Sequence, residues 1–209
     1  MRITGGEFLG RTIRPPRGPQ TRTTMDQVRQ ALFNLAGERV KGARALDLFA
    51  GSGALGIEAL SRGASHVTWV DSSIFCVRAI EANLKSLSLT AEIGRRSDCE
   101  PPSKAGWLDS GRLPFAVLRS DALAAIRRLA REHRLFDLVL LDPPYGTDLA
   151  RIALNALAQH AIVDRSGWVV VEHDKRLAAA SLRPEPSGCF LEVKSKRYGD
   201  TVLTIYERQ

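Results

Sequence analysis

The chain has 209 residues, of which 44% are hydrophobic and 25% charged, and it carries a formal net charge of +7. That balance suits one sizeable globular core and excludes a disordered or collagen-like chain. No apolar run reaches the ~18–20 residues of a membrane span, and the opening Met1-Arg2-Ile3-Thr4-Gly5-Gly6 lacks the apolar centre of a signal peptide. Cys76, Cys99 and Cys189 are scattered, with neither metal-ligand spacing nor a disulfide framework. The expectation is a cytoplasmic protein with no membrane partner and no metal.

Residues 1–44 hold nine Lys/Arg against three acids, so nearly all the excess charge lies in the first fifth of the chain. A basic stripe of this kind fits a polyanion such as nucleic acid, and equally a solvated arm. Ile3 to Ile13, with Gly5-Gly6 and Gly10, predicts a short hairpin or turn-rich arm. Pro15-Pro16-Arg17-Gly18-Pro19 follows as a stiff linker. Val28, Ala31, Leu32 and Leu35 then mark one face of a helix that Gly37 helps to end. The arm and helix, residues 1–42, are expected to form a nucleic-acid-binding extension ahead of a main domain at 43–209. Arg11, Arg14, Arg17, Arg22 and Arg29 are its candidate phosphate contacts. Arg22 is equally suited to folding the arm over a bound ligand.

From Ala43 the pattern alternates strands with helices. Strands are predicted at Ala43–Phe49, His66–Asp71, Phe115–Arg119, Phe136–Leu141 and Trp168–Glu172. Helices are predicted at Ala54–Ser61, around Val77, Ile80, Leu84 and Leu87, at Ala122–Arg131 and at Leu149–Gln159. Repeated strand–helix units imply an α/β fold with a mostly parallel sheet covered on both faces. Phe190–Val193 and Val202–Tyr206 add an antiparallel edge. Residues 91–113, rich in Pro, Gly and polar residues, read as a surface loop or insertion.

The run Leu46-Asp47-Leu48-Phe49-Ala50-Gly51-Ser52-Gly53-Ala54-Leu55-Gly56 passes from the first sheet strand into a helix. It satisfies G-x-G-x-x-G, which by itself admits an NAD(P) site. Asp47 sits poorly beside a pyrophosphate and suits a cationic group such as the ammonium of S-adenosylmethionine (SAM). Alternatively it is a buried acid bonded to the turn. Asp71, 20 residues after Gly51, ends the second strand where an acid accepts bonds from ribose hydroxyls. Asp121-Ala122 follows the third strand, either touching an adenine edge or capping a helix.

Asp142-Pro143-Pro144-Tyr145 lies beyond the strand Phe136–Leu141, at the carboxyl end of the sheet, where ligands bind in open α/β folds. An exocyclic base amine is a weak nucleophile because its lone pair is delocalised. Asp142 can accept one of its N–H bonds and the Pro143 carbonyl the other, while both prolines fix the backbone and Tyr145 offers a face for the base. Such a site acts by positioning and fixed dipoles, on a base flipped out or single-stranded. Glu172-His173 ends the fifth strand on the same side, either touching the target or packed. Trp69 reads as core, and Tyr198 as a base-stacking or edge-packing side chain.

Thr21-Arg22-Thr23-Thr24, Val28-Arg29, Ala31-Leu32-Phe33-Asn34, Leu46–Gly56, Glu58-Ala59-Leu60-Ser61-Arg62-Gly63, Asp142–Gly146 and Tyr198-Gly199-Asp200-Thr201 together resemble the bacterial 16S ribosomal RNA guanine-N2 methyltransferases called RsmD. The resemblance spans nearly the whole chain. It implies a Rossmann-like class I SAM-dependent methyltransferase fold and methylation of one guanine N2 in 16S rRNA of the small ribosomal subunit. By motif match, Asp47, Phe49, Gly51, Ser52 and Gly53 would line the SAM pocket, with Asp71 on the ribose and Asp121 and Ala122 near adenine. Asp142, Pro143, Pro144 and Tyr145 would be catalytic. Thr23 stands where the family usually has Pro, Asp71 where Glu is common, and the 91–113 stretch is longer than usual. The tetrad also serves DNA adenine-N6 or cytosine-N4 methylation, although the chain has no room for a separate DNA-recognition domain. A non-catalytic RNA-binding module is the remaining alternative.

Overall fold

The computed structural model describes residues 1–16, 26–89, 114–177, 182 and 188–209. Seven strands form one sheet: β1 (Arg44–Leu48), β2 (His66–Asp71), β3 (Phe115–Arg119), β4 (Phe136–Leu141), β5 (Val163–Asp174), β6 (Phe190–Tyr198) and β7 (Thr201–Arg208). Their order is β3-β2-β1-β4-β5-β7-β6. The first five pair in parallel, and β7 pairs antiparallel with both β5 and β6. The helices are α1 (Asp26–Ala36), α2 (Ala54–Ser61), α3 (Ile74–Ser86), α4 (Ala122–Arg131) and α5 (Leu149–Gln159).

Successive strand side chains point to opposite faces, so each central strand feeds two cores. Ala45, Leu138, Leu140 and Val170 pack with Leu32 and Phe33 of α1, Ile57 of α2 and Ile80 and Leu84 of α3. Leu46, Leu48, Val139, Leu141, Val169 and Val171 pack with Ile126 and Leu129 of α4 and Leu154 and Leu157 of α5. Apolar residues at five of six positions of β4, and at three of five in β1, follow from this double burial.

β5 and β6 are longer than their apolar runs predict. Between Phe136↔Val163 and Leu138↔Trp168 the register shifts, so polar Asp164–Gly167 bulges within β5. In β6, Leu191 to Arg197 are all exposed. An edge strand wet on both faces carries no apolar alternation for sequence to reveal.

The N-terminal arm closes on one antiparallel bridge, Arg2↔Thr12, and buries Ile3 and Ile13 in the same cluster as α1 and α2. Its polar anchor is Glu58 of α2, which is fully buried. That carboxylate accepts from the Thr4 backbone N–H (2.9 Å) and hydroxyl (2.7 Å), from Arg62 Nε (2.9 Å) and from Arg29 Nε (3.2 Å). Arg29 also donates to Asp26 at 2.9 Å and to the Arg2 carbonyl. With its side chain 0% exposed, Arg29 is no phosphate contact, and that expectation is corrected. The Glu58 charge compensates the cost of burying a guanidinium, so Arg29 ties arm to helix. No described helix is long and apolar enough to cross a membrane.

Candidate active site

The carboxyl ends of β1, β2, β3 and β4 open into a cleft of about 900 Å³. Its floor is the turn between β1 and α2. Gly53, at φ 79°, turns the chain into α2 in a left-handed conformation that costs glycine little. Gly56 lets α2 lie against β2: a Cβ there would fall 2.2 Å from Trp69 Nε1. Trp69 is fully buried and donates to the Gly53 carbonyl at 3.2 Å, so the residue expected in the core also pins the turn. Phe49, a non-glycine residue at φ 65°, is half-buried and turned into the cleft. Such a strained conformation persists only where its surroundings hold it.

Asp47 and Asp71 give the cleft its charge. Asp47 is buried, and its Oδ2 accepts the Gly56 N–H at 2.9 Å. Its Oδ1 is buried with no hydrogen-bond partner among the described residues. Burial, opposed by the Gly56 bond and reinforced by Asp142 and Asp71, pushes its pKa up to about 8. One Asp47 oxygen thus secures the turn, as the buried-acid alternative expects, and the other faces no partner among the described residues. Asp71 accepts the Gly51 N–H and the Ser73 N–H, each at 2.8 Å, and so joins the loops after β1 and β2. Cys76 is a further side-chain hydrogen-bond partner, and the carboxylate's roughly four lone pairs leave capacity for a ligand hydroxyl. Asp121 caps α4 by accepting from the Ala124 N–H at 2.9 Å and lines the cleft beside Ala122. Ser52 and Gly51 also line it, whereas Gly53 acts through its backbone turn and is absent from the lining.

Asp142, Pro143, Pro144 and Tyr145 line the same cleft from the end of β4. The Tyr145 hydroxyl donates to Glu172 Oε1 at 3.2 Å and bonds the Thr201 hydroxyl at 2.9 Å. Tyr145, Pro143 and Pro144 also border a second cavity of about 540 Å³, which includes Glu172, His173 and Arg176. His173 is packed rather than free: Nε2 meets the Thr204 hydroxyl at 2.9 Å and Nδ1 the Asp174 carbonyl at 3.1 Å. Burial lowers its pKa.

Several contributors have no local signature. Asn83, on α3 and 1% exposed, donates to the Ser52 carbonyl (3.0 Å) and the Arg14 carbonyl (2.9 Å), and accepts the Arg14 N–H (2.9 Å). It thus fastens the arm to the cleft loop and leaves Pro16 in the lining. Phe75, an exposed ring at the start of α3, also lines the cleft. Within the Tyr198-Gly199-Asp200-Thr201 run it is Thr201 that supports Tyr145. Arg11 and Arg14 are exposed, and the Arg11 guanidinium donates to the Ser86 carbonyl at 2.6 Å. Arg17, Arg22, Cys99 and the 91–113 stretch lie outside the described residues.

The family model described as Conserved hypothetical protein 95 matches residues 1–101 and 103–207. The chain belongs to this family. It is the RsmD family that the sequence motifs resemble. YlbH of Bacillus subtilis (strain 168) is 32% identical over 209 residues, covering all of both chains. The ribosomal RNA small subunit methyltransferase D of Escherichia coli (strain K12) is 29% identical over 209 residues, covering 100% of this chain and 90% of that one. The solved structure of yhhF from Escherichia coli matches with a TM-score of 0.74 at 26% identity, covering 100% of this chain and 98% of that one. This RsmD-family chain has the Rossmann-like class I fold of SAM-dependent methyltransferases. The cleft fits that cofactor: the buried Asp47 Oδ1 has no donor among the described residues, a position an ammonium would satisfy, and the Asp71 carboxylate lines the same cleft.

Proposed function

We propose that this RsmD-family protein transfers the methyl group of SAM to the exocyclic N2 amine of a guanine in 16S ribosomal RNA of the small ribosomal subunit, acting in the cytoplasm. One observation carries the reading. The Asp142–Tyr145 tetrad and the Asp47–Gly51 turn, built on adjacent strands β4 and β1, face one cavity. The name of the Escherichia coli relative supports ribosomal RNA as the acceptor.

Bound SAM supplies a methyl group on a sulfonium sulfur. Asp47 would hold its ammonium, and Asp71 its ribose hydroxyls. Asp142 would accept one amine N–H, direct the nitrogen lone pair towards the methyl group, and take the proton that the amine loses as the N–C bond forms and the methyl–sulfur bond breaks, its electron pair staying on sulfur. The Pro143 carbonyl accepts the second N–H. Tyr145, fixed by Glu172 and Thr201, presents its ring to the base. Residues 1–42 serve as the RNA-gripping extension, with Arg11, Arg14, Arg17 and Arg22 on phosphates.

The test uses isotope-labelled SAM with small subunits from cells lacking the gene, naked 16S RNA and duplex DNA. Label is expected in N2-methylguanosine and is lost in Asp142→Ala. Label in N6-methyladenine or N4-methylcytosine of DNA, or none in any acceptor, overturns the proposal.

A further inference from the structure

Strands β4 and β5 run parallel, with Leu141 opposite Val171. The next residue in each chain segment is an acid, Asp142 just past the end of β4 and Glu172 within β5. The two backbones therefore run side by side at one strand spacing, ~4.8 Å, and both acids line the cofactor cleft. Glu172 is 3% exposed, and it borders both the cofactor cleft and the second cavity. The Tyr145 hydroxyl, itself bonded to Thr201, fixes the position of Oε1.

Base chemistry distinguishes what such a pair can accept. Guanine presents two adjacent donors on one edge, the N2 amine and the N1–H. Adenine and cytosine place a bare acceptor nitrogen beside their exocyclic amine. A carboxylate only accepts, so a second acid beside Asp142 complements guanine and opposes the ring lone pair of the other two. From the juxtaposition of Asp142 and Glu172 we infer that Glu172 is a specificity-determining residue, accepting the guanine N1–H while Asp142 accepts an N2–H. The inference rests on the guanine-N2 reading of the site, and names the residue that selects guanine within it.

The test pairs an altered base with an altered side chain. Small subunits are reconstituted with guanosine or 2-aminopurine riboside at the methylated position. 2-Aminopurine keeps the N2 amine but has a bare N1. The wild-type protein is expected to favour guanosine by about tenfold or more in kcat/KM, the range of one buried polar mismatch. In Glu172→Gln the side-chain amide can donate to a bare N1, and the preference is expected to collapse towards unity. A shift in this ratio separates recognition from simple support of Tyr145, which would slow both substrates alike.

Equal use of both bases by the wild-type protein overturns the inference without any variant. So does an unchanged preference in Glu172→Gln, or a variant that still binds SAM and is inactive on both. No activity of the wild-type protein on the guanosine subunits instead removes the underlying guanine reading.

Discussion

Replacing Asp47 with Asn removes a titrating group from the cleft while preserving an acceptor for the Gly56 N–H. Burial holds the Asp47 pKa at about 8, against an ordinary 3.8. Below pH 3.8 the acid is protonated in both folded and unfolded chains and contributes no pH dependence. Between 3.8 and about 8 the unfolded chain is ionised while the folded one keeps its proton. The native state then binds more protons, and stability falls as pH rises. Each pH unit in this window costs up to about 1.4 kcal/mol, so the penalty approaches ~4 kcal/mol near pH 7. Asp47→Asn lacks this penalty. Its melting temperature is expected to gain on the wild-type protein steadily from pH 5 to pH 8, and to hold a constant lead above that. In the proposed site the ammonium of bound SAM would favour the ionised carboxylate and reverse the preference. Calorimetric titration at pH 7 in buffers of different ionisation enthalpy is expected to show release of nearly one proton by the wild-type protein and almost none by Asp47→Asn. The variant is also expected to bind more weakly, having lost a charge-assisted bond of roughly 1.5–3 kcal/mol. A melting-temperature difference independent of pH, with no proton release on binding, refutes both the protonated free state and the ammonium contact.

Glu58→Gln removes the buried counter-charge of Arg29 and leaves it only the half-exposed Asp26. A loss of about 3–5 kcal/mol in urea unfolding is expected, and a loss below about 1 kcal/mol refutes Glu58 as the anchor of the arm. Gly56→Ala forces a methyl group against Trp69; destabilisation of about 1–3 kcal/mol is expected by thermal unfolding, and wild-type stability contradicts the close packing of α2 on β2. Thr201→Val deprives the Tyr145 hydroxyl of one partner. The kcat for methyl transfer should fall by about tenfold, equivalent to one hydrogen bond, with SAM affinity unchanged. A weakened SAM affinity with normal kcat would place Thr201 in the wrong role. Asn83→Ala frees the Ser52 loop and the Arg14 backbone together, so SAM affinity is expected to drop. Unaltered binding by calorimetry counts against that coupling.

Sequence alone determined whatever is written in short-range pattern. Five strands and their helices showed as apolar runs because a parallel sheet buries both faces of its strands. The turn from Asp47 to Gly56 and the tetrad Asp142–Tyr145 were legible because backbone conformation and lone-pair chemistry restrict residue types locally. Their common position at carboxyl strand ends followed from the alternating order. Tertiary structure alone decided the fate of charges and the convergence of distant segments. Arg29 reads as one more cation in a basic arm, and only the fold sets it 3.2 Å from Glu58, out of reach of any phosphate. Asn83 is an ordinary helix residue until packing brings Ser52 and Arg14 to its amide. Glu172 and Thr201 meet Tyr145 only because β5 and β7 pair antiparallel. Burial, proton affinity and partnership between groups far apart in the chain depend on where the whole sheet places them. No local pattern encodes that.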